Sequence, residues 1–226
     1  MEGFSSLPYL LQSLLDTTTI PWIRLLYCYP ERITPELIAV IRDNPRIVRY
    51  IDMPIQHIAD PVLHCMKRRG DSATIRSVMA ELRQQIPDIA IRSTLIVGFP
   101  GETEEDFAEL HQFVLDGNFD RLGVFAYSAE EGTPAAEMPD QIDPEVARRR
   151  VDLLMSSQRD VSLAKNQAKI GTIVKVIVES ATSGRSQADA LEIDCLVYFD
   201  GESRVGDIVD VKITQCDEYD LYGVME

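Results

Sequence analysis

A nearly continuous apolar run at residues 89–97 constrains the fold of this chain more than any other segment. Because both of its faces are apolar, it predicts a strand that is covered by packing on both sides. Helix-like and strand-like patterns alternate around it through the first 170 residues, with further strands predicted at residues 22–29, 49–55 and 121–127. Such alternation indicates a parallel sheet with crossover helices, and so an α/β fold.

Capping residues mark the helices between these strands. Thr103, with Asp106 three residues later, has the spacing of a capping box, and Asp71 precedes another helical stripe. A long helix is predicted over residues 143–169, and because its apolar face is thin we expect it to bridge two domains. Residues 1–19 also predict a helix, which would partly cover the open edge of the first strand.

After Gly171 the pattern changes to short alternating strands separated by glycine-containing turns. Four or five such strands are predicted, four of them at residues 172–178, 193–199, 208–213 and 219–225. Several short strands in so few residues indicate a small antiparallel barrel. We therefore predict two domains: a partial α/β core at residues 1–168 and an all-β barrel at residues 169–226.

The charge of the chain is strongly negative, −15 over 226 residues. Residues 171–226 carry four basic and twelve acidic side chains, so the barrel alone has a net charge of −8. This acidity argues against general nucleic-acid binding, which needs a surplus of Lys and Arg. An acidic barrel would attract a basic protein, although the charge could equally serve only to keep the domain in solution.

Composition also limits where the chain works. The sequence contains no run of about 18 apolar residues, so no membrane-spanning helix is predicted. The first twenty residues lack the features of a secretory signal. The four cysteines lie too far apart for a disulfide framework or a zinc ribbon; they are Cys28, Cys65, Cys195 and Cys216. A reducing cytoplasm is the expected location.

Candidate site residues cluster where the predicted strands end, which is where parallel α/β folds bind ligands. These residues are Gln56, His57, Gly98, Phe99, Tyr127 and Ser128. Each has a structural alternative: His57 could be a packed core residue, and Tyr127 could place its ring in the core with its hydroxyl in water.

Arg92 is unusual because it lies inside the apolar strand at residues 89–97. A buried guanidinium needs an anionic partner, which could be a ligand carboxylate or an acidic side chain of the same chain. The sequence contains no Walker loop, no GxSxG elbow and no zinc-type spacing. The residues alone therefore predict a ligand-binding α/β domain and an acidic barrel, and they indicate no particular reaction.

Three segments together resemble one family: YIDMPIQH at residues 50–57, IRSTLIVGFPGETEEDF at 91–107 and FAYSAEEGTPA at 125–135. They resemble the radical S-adenosylmethionine methylthiotransferases, in this order and spacing, from residue 22 to the end of the chain. One branch of that family modifies tRNA and another modifies a small-subunit ribosomal protein. The Gln56–His57 pair, the acidic loop at Glu130 and Glu131 and the DEYDLYG segment at 217–223 favour the protein-modifying branch.

The resemblance implies an open six-stranded (β/α) barrel, about four strands of which are present, followed by a small TRAM-like barrel. It implies S-adenosylmethionine as cofactor, cleaved by a [4Fe–4S] cluster, and transfer of a methylthio group to the β-carbon of an aspartate. The cofactor-binding positions of the family match Gln56, Arg92, Thr94, Gly98, Phe99 and Tyr127. His57 and Ser128 match the substrate side, and no catalytic residue or metal ligand is assigned.

The sequence departs from the family at its clusters. The C-x3-C-x2-C motif is absent, as are the three cysteines of the family's N-terminal domain, and Cys28 and Cys65 have the wrong spacing. We therefore expect the C-terminal part of an enzyme that is inactive alone. The expected partner is a small-subunit ribosomal protein, bound by the acidic barrel, and tRNA is disfavoured. The alternatives are a non-catalytic binding remnant and the tRNA-modifying branch.

Overall fold

The fold begins with a four-stranded parallel sheet, seen in a computed structural model that describes residues 6–226. The strands lie in the order β1-β2-β3-β4: β1 is Ile23–Leu25, β2 is Ile47–Asp52, β3 is Ala90–Val97 and β4 is Arg121–Ala126. The helices are α1 Leu7–Thr17, α2 Pro35–Asp43, α3 Asp60–Cys65, α4 Ser72–Gln85, α5 Glu104–Leu115 and α6 Pro144–Gln167. Short 3₁₀ turns cover Pro30–Arg32 and Pro134–Glu137.

Alternation along β3 divides the sheet into two faces. Ile91, Leu95 and Val97 belong to the main apolar core, together with the helices. Arg92 and Thr94 point to the opposite face, which we call the inner face, because successive strand residues alternate. The predicted buried strand is therefore confirmed, although its inner face is only partly covered.

The predicted capping box at the start of α5 is confirmed. The Thr103 hydroxyl accepts a hydrogen bond from the Asp106 backbone N–H at 3.1 Å, and the Asp106 carboxylate accepts one from the Thr103 N–H at 3.0 Å. The α6 helix begins at its predicted cap, where Asp143 accepts from the Glu145 N–H at 2.7 Å. These caps satisfy N–H groups that have no partner within the helix.

Several predicted boundaries were wrong. The first strand covers three residues instead of residues 22–29, because the chain turns away at Tyr27, whose φ is 59°. The helix predicted at residues 1–19 is seen at Leu7–Thr17, and residues 1–5 of that prediction lie outside the described residues. The α3 helix ends at Cys65, two residues before Lys67, which adopts a left-handed backbone with a φ of 54°.

Five strands form a closed barrel in the order β5-β6-β7-β9-β8. They are β5 Ile173–Ser180, β6 Ser183–Ser186, β7 Val197–Asp200, β8 Ile208–Cys216 and β9 Leu221–Met225. The predicted fold class, a partial α/β core followed by a small barrel, is confirmed. The predicted antiparallel pairing was wrong for β7 and β9, which pair in parallel, and the fifth strand, β6, was not located because its sequence, SGRS, is short and polar.

The barrel contacts the inner face of the sheet through the loop between β6 and β7, residues 187–196. In this β6–β7 loop, Asp189 pairs with Arg121 of β4 at 2.7 Å, and both side chains are buried. The carboxylate of Asp194 accepts a hydrogen bond from the Tyr50 hydroxyl at 2.8 Å. No helix in the described part of the chain is long and apolar enough to cross a membrane.

Candidate functional site

A cleft of about 630 Å³ opens at the carboxyl ends of β3 and β4. It is lined by four of the predicted site residues, which are Gln56, Phe99, Tyr127 and Ser128. Ile96 and Phe125 extend its apolar wall. Phe125 was not predicted as a site residue, although the alternation of strand residues places it on the same face as Tyr127. The sheet thus brings residues from three separate sequence segments into one concave surface.

Gln56 is held in the cleft by an unusual backbone. Its φ is 71°, a left-handed conformation that costs a residue with a Cβ atom about 1 kcal/mol. Two hydrogen bonds fix it to β3: its N–H donates to the Thr94 carbonyl at 3.0 Å, and its own carbonyl accepts from the Ile96 N–H at 2.8 Å. The side-chain Oε1 is buried and has no hydrogen-bond partner in the described residues. A ligand donor is therefore the group this atom lacks.

Tyr127 supplies the second unsatisfied atom. Its ring packs edge-to-face on Phe99, with centroids 5.1 Å apart and an angle of 67° between the planes. Its hydroxyl is buried and, within residues 6–226, has no partner. The cleft therefore offers aromatic walls, one unpaired amide oxygen and one unpaired hydroxyl, a set suited to a flat heteroaromatic ligand that carries N–H or O–H groups.

The turn that carries Phe99 is fixed by Gly98. Its φ is 75°, and a Cβ atom at this position would lie 2.4 Å from the Cβ of Ala147 in α6. Only glycine permits this close approach of the turn to the helix. The Gly98 N–H also donates a short hydrogen bond to the buried carboxylate of Glu102.

His57 does not line the cleft. It is fully buried, and its Nδ1 accepts a hydrogen bond from the Ala59 N–H at 3.0 Å, which places the proton of the neutral ring on Nε2. That nitrogen faces the Glu102 carboxylate at 3.5 Å. Glu102 also lies 3.3 Å from the Arg150 guanidinium of α6. No sequence pattern predicted these three buried contacts, although Glu102 lies within the GFPGET segment.

Arg92 and Thr94 are also placed away from the cleft. The Arg92 guanidinium lies 3.0 Å from the Asp52 carboxylate and 3.3 Å from that of Asp194, so the structure supplies the internal ion pairs that the sequence left as an alternative. Burial by itself lowers the pKa of Arg92, but these carboxylates raise it above its ordinary value. Thr94 contributes to the site through its carbonyl, which fixes Gln56.

The residues present do not fit an iron–sulfur cluster. Across residues 6–226, no three His, Cys, Asp or Glu side chains are grouped so that they could hold a metal ion. Burial raises the pKa of the Cys28 and Cys195 thiols to about 11, whereas cluster ligands are thiolates. Cys65 is exposed and lies at the edge of the cleft.

Comparison with protein families finds two matches in this chain. The radical SAM superfamily matches residues 6–114, and the TRAM domain matches residues 170–225. The first match covers the strands β1 to β3 and the GFPGET turn, and the second covers the closed barrel. The two matches therefore correspond to the two architectures seen in the structure.

Relatives match over nearly the whole chain. The chain is 49% identical to ribosomal protein uS12 methylthiotransferase RimO of Citrifermentans bemidjiense, over 99% of the chain and 52% of the relative. It is 50% identical to the protein of the same name from Geobacter sulfurreducens, again over 99% of the chain and 52% of the relative. The chain thus spans about half the length of these relatives.

A solved structure supports the fold alone. Coproporphyrinogen III oxidase (HemN) from Escherichia coli, described as a radical SAM enzyme, superposes with a TM-score of 0.52 at 22% identity. The superposition covers 66% of this chain and 36% of that one.

Proposed function

Because the chain belongs to the radical S-adenosylmethionine methylthiotransferase family, we propose that it forms part of an enzyme that transfers a methylthio group to a protein of the small ribosomal subunit. The relatives that match nearly all of it carry the name of a uS12 methylthiotransferase. The family implies S-adenosylmethionine and [4Fe–4S] clusters as cofactors. The target atom that we propose is the β-carbon of an aspartate, as the family resemblance implies.

The observation that carries this proposal is the pair of unsatisfied polar atoms in the aromatic cleft. S-adenosylmethionine carries a flat adenine ring, an amino group and ribose hydroxyls, and it supplies, when bound, the sulfonium group that radical chemistry of this family requires. Gln56 Oε1 can accept a hydrogen bond from an N–H or O–H of the cofactor, and the Tyr127 hydroxyl can pair with a second polar atom. The Phe99 and Tyr127 rings offer apolar surface to the adenine.

The positions of these residues are set by the chain before any ligand arrives. The two hydrogen bonds to β3 fix Gln56, and the Gly98 turn, packed on Ala147, fixes Phe99. Pre-organisation of this kind lowers the conformational entropy that binding would otherwise cost. His57 acts here as a buried neighbour of the turn, so we assign it no contact with substrate. Ser128 lines the cleft and stays a candidate for the substrate side.

The test is ligand binding by the chain itself, measured calorimetrically with S-adenosylhomocysteine. We expect Gln56→Met and Tyr127→Phe each to weaken binding about fivefold, the loss expected for one uncharged hydrogen bond of about 1 kcal/mol. Tyr219→Phe is the matched control, because that ring is exposed and lies outside the cleft. Equal affinities for all three variants would contradict the assignment of the cleft.

We also propose that the chain alone does not carry out the reaction, because its cysteines do not fit a cluster. No step is therefore assigned to a cluster in this part of the protein. After treatment with iron and sulfide under anaerobic conditions, we expect no cleavage of S-adenosylmethionine by the isolated chain. Turnover in that assay would contradict this proposal and leave the assignment of the cleft unaffected.

The acidic barrel supports a basic protein partner. Residues 171–226 carry a net charge of −8, which favours a basic ribosomal protein and repels tRNA. We expect the whole chain to retain a purified basic small-subunit ribosomal protein at low salt and to release it as salt rises. A salt-sensitive gel shift with tRNA, without binding of the protein, would support the tRNA-modifying branch instead. Binding without any affinity for S-adenosylhomocysteine would support a non-catalytic binding remnant.

A further inference from the structure

One region of this acidic protein has the opposite charge. Four cationic side chains surround a hollow of about 480 Å³, and Glu31 is the one acidic residue among those that line it. We call this hollow the basic groove; its lining includes Tyr29, Arg32, Lys67, Arg68 and Arg69. Such a concentration of positive charge is notable in a chain whose net charge is −15.

The cations of the basic groove are available to a partner. Within the described part of the chain, the side chains of Arg32, Lys67 and Arg69 form no ion pair or hydrogen bond. Two contacts hold the Arg68 guanidinium in place: it donates to the Pro54 carbonyl at 2.9 Å, and it lies 4.8 Å from the centre of the Tyr29 ring. Like charges held together without internal counter-ions raise the local potential and favour an anionic partner.

The turn that ends α3 sets the positions of three of these cations. Lys67 has a φ of 54°, a left-handed conformation that is disfavoured for a residue with a Cβ atom. This turn ends α3, and Lys67, Arg68 and Arg69, which follow the helix, all line the groove. The turn has the hydrogen bonds of a common helix C-cap, because the Arg68 N–H donates to the Leu63 carbonyl and the Lys67 N–H to the His64 carbonyl, both at 2.9 Å.

The groove continues into the candidate cofactor cleft. Met66, Lys67 and Arg68 line both the 480 Å³ groove and the 630 Å³ cleft. A molecule bound in the groove would therefore lie directly at the mouth of the cleft. The lining of the cleft also contains an acidic residue, Glu130, and Glu131 follows it in the same loop.

Basic residues in the groove and acidic residues in the cleft beside it favour one of two kinds of anionic macromolecule, a nucleic acid or an acidic protein. Every nucleotide of a nucleic-acid strand carries a negatively charged phosphate, so a strand that entered the groove would continue over Glu130 and the acidic remainder of the surface. A folded protein can place acidic side chains opposite the groove alone and present neutral or basic residues elsewhere. Charge complementarity over so small a patch thus fits an acidic protein surface better than RNA.

We propose that the basic groove is the docking site for an acidic protein that approaches the mouth of the cleft. The inference rests on the charge and shape of the groove and is independent of the reaction proposed above. It also differs from the proposed binding of a basic protein, which uses the barrel. The two surfaces would let the chain hold a basic and an acidic partner at the same time.

The test uses the whole chain and a short fluorescein-labelled peptide rich in Asp and Glu, followed by fluorescence anisotropy at low salt. We expect binding that weakens as salt rises and that falls about tenfold in the variant K67E/R69E. The variant R149E/R204E changes the net charge equally at two exposed arginines outside the groove and should bind as the unmodified chain does. Circular dichroism confirms that both variants fold.

Three outcomes would overturn the proposal. The first is no binding of the acidic peptide by the unmodified chain, and the second is an equal loss in K67E/R69E and R149E/R204E, which would mean that net charge alone acts. The third is tighter binding of a single-stranded RNA of the same charge, with the K67E/R69E variant losing it, since the groove would then be an RNA contact. None of these outcomes bears on the affinity for S-adenosylhomocysteine, so the two proposals fail separately.

Discussion

Gly98 joins the cleft to helix α6, and its replacement tests how closely the two are packed. In Gly98→Ala, the new Cβ would lie 2.4 Å from the Ala147 Cβ at a backbone φ of 75°. Left-handed strain and overpacking together should lower the free energy of unfolding by about 2–4 kcal/mol, measured by urea denaturation. Gly101→Ala is the matched control, because its φ is 84° but nothing lies within 4 Å, so strain of about 1 kcal/mol is all it should cost.

A second variant separates the two causes. In Gly98→Ala combined with Ala147→Gly, the contact between Cβ atoms is removed while the strain at residue 98 remains. After allowance for the intrinsic cost of glycine in a helix, about 1 kcal/mol, the double variant should regain part of the loss. A loss in Gly98→Ala no larger than that in Gly101→Ala would show that the turn does not pack on α6 as described.

The cysteines offer a test of burial. Because burial raises the pKa of Cys28 and Cys195 to about 11, both are protonated at pH 8 and should react slowly. Cys65 is exposed at the cleft and should be alkylated first by iodoacetamide. Peptide mapping by mass spectrometry gives the order, and raising the pH toward 11 should increase the reactivity of Cys28 and Cys195, which are half-buried, if the protein stays folded. Early modification of Cys28 would contradict its burial.

The positions of the cleft residues could be predicted from the sequence more readily than their roles. Gln56, Phe99 and Tyr127 were found because parallel strands place their carboxyl ends on one edge, a rule that needs no tertiary information. His57 and Arg92 were harder, because a polar residue at or in a strand can face either a ligand or the protein. Their partners, Glu102 and Asp194, lie 45 and 102 residues away along the chain, and only the fold brings them together.

At the scale of the element, the capping box of α5 follows directly from the sequence, and its energetic value can be measured. Thr103→Ala removes the acceptor for the Asp106 N–H and should destabilise the protein by about 1 kcal/mol in urea denaturation. Thr103→Ser keeps the hydroxyl and should retain most of that stability. If both variants lose the same amount, the methyl group of Thr103 matters and the cap does not.

Local signals predicted where helices begin more reliably than where strands end. Helix starts depend on a few neighbouring residues, as at Thr103 and Asp143, so the local sequence carries the information. Strand length depends on the partner strand: β1 pairs with β2 at Ile23 and Leu25, with a register shift between them, and the chain then turns away at Tyr27. The parallel pairing of β7 with β9 likewise depends on barrel closure, which no local pattern encodes.

At the scale of the whole molecule, the contact between sheet and barrel could not be predicted. The division at residue 168 remains a prediction of the sequence, but the β6–β7 loop crosses from the barrel to the inner face of the sheet. Ala190 of this loop packs with Tyr50 and Val48 in a small apolar cluster. The loop covers part of the inner face, and so helps to fix the barrel and its acidic surface relative to the cleft.

The buried pair Arg121–Asp189 should be the strongest polar contribution to this contact. Both Nε and Nη2 of Arg121 donate to one carboxylate oxygen of Asp189, at 2.9 and 2.7 Å. Burial alone would lower the pKa of Arg121, but Asp189 raises it above its ordinary value, so the guanidinium stays charged. Asp189→Ala would leave that charge buried without a partner and should cost about 3–5 kcal/mol.

A double-mutant cycle tests whether the pair, rather than either residue, fixes the barrel on the sheet. Arg121→Met with Asp189→Ala removes both charges, so it should cost less than the sum of the single variants by at least about 2 kcal/mol. The exposed pair Lys175–Asp210, 2.9 Å apart within the barrel, is the control and should show a coupling below about 1 kcal/mol.

Trp22, the one tryptophan of the chain, packs beside Ala188 and Ala190, so its emission reports whether the loop has moved. Red-shifted emission in Asp189→Ala, without loss of barrel structure, would show that the loop has left the sheet. Unchanged emission with small coupling would mean that the apolar cluster holds the two parts together without the ion pair.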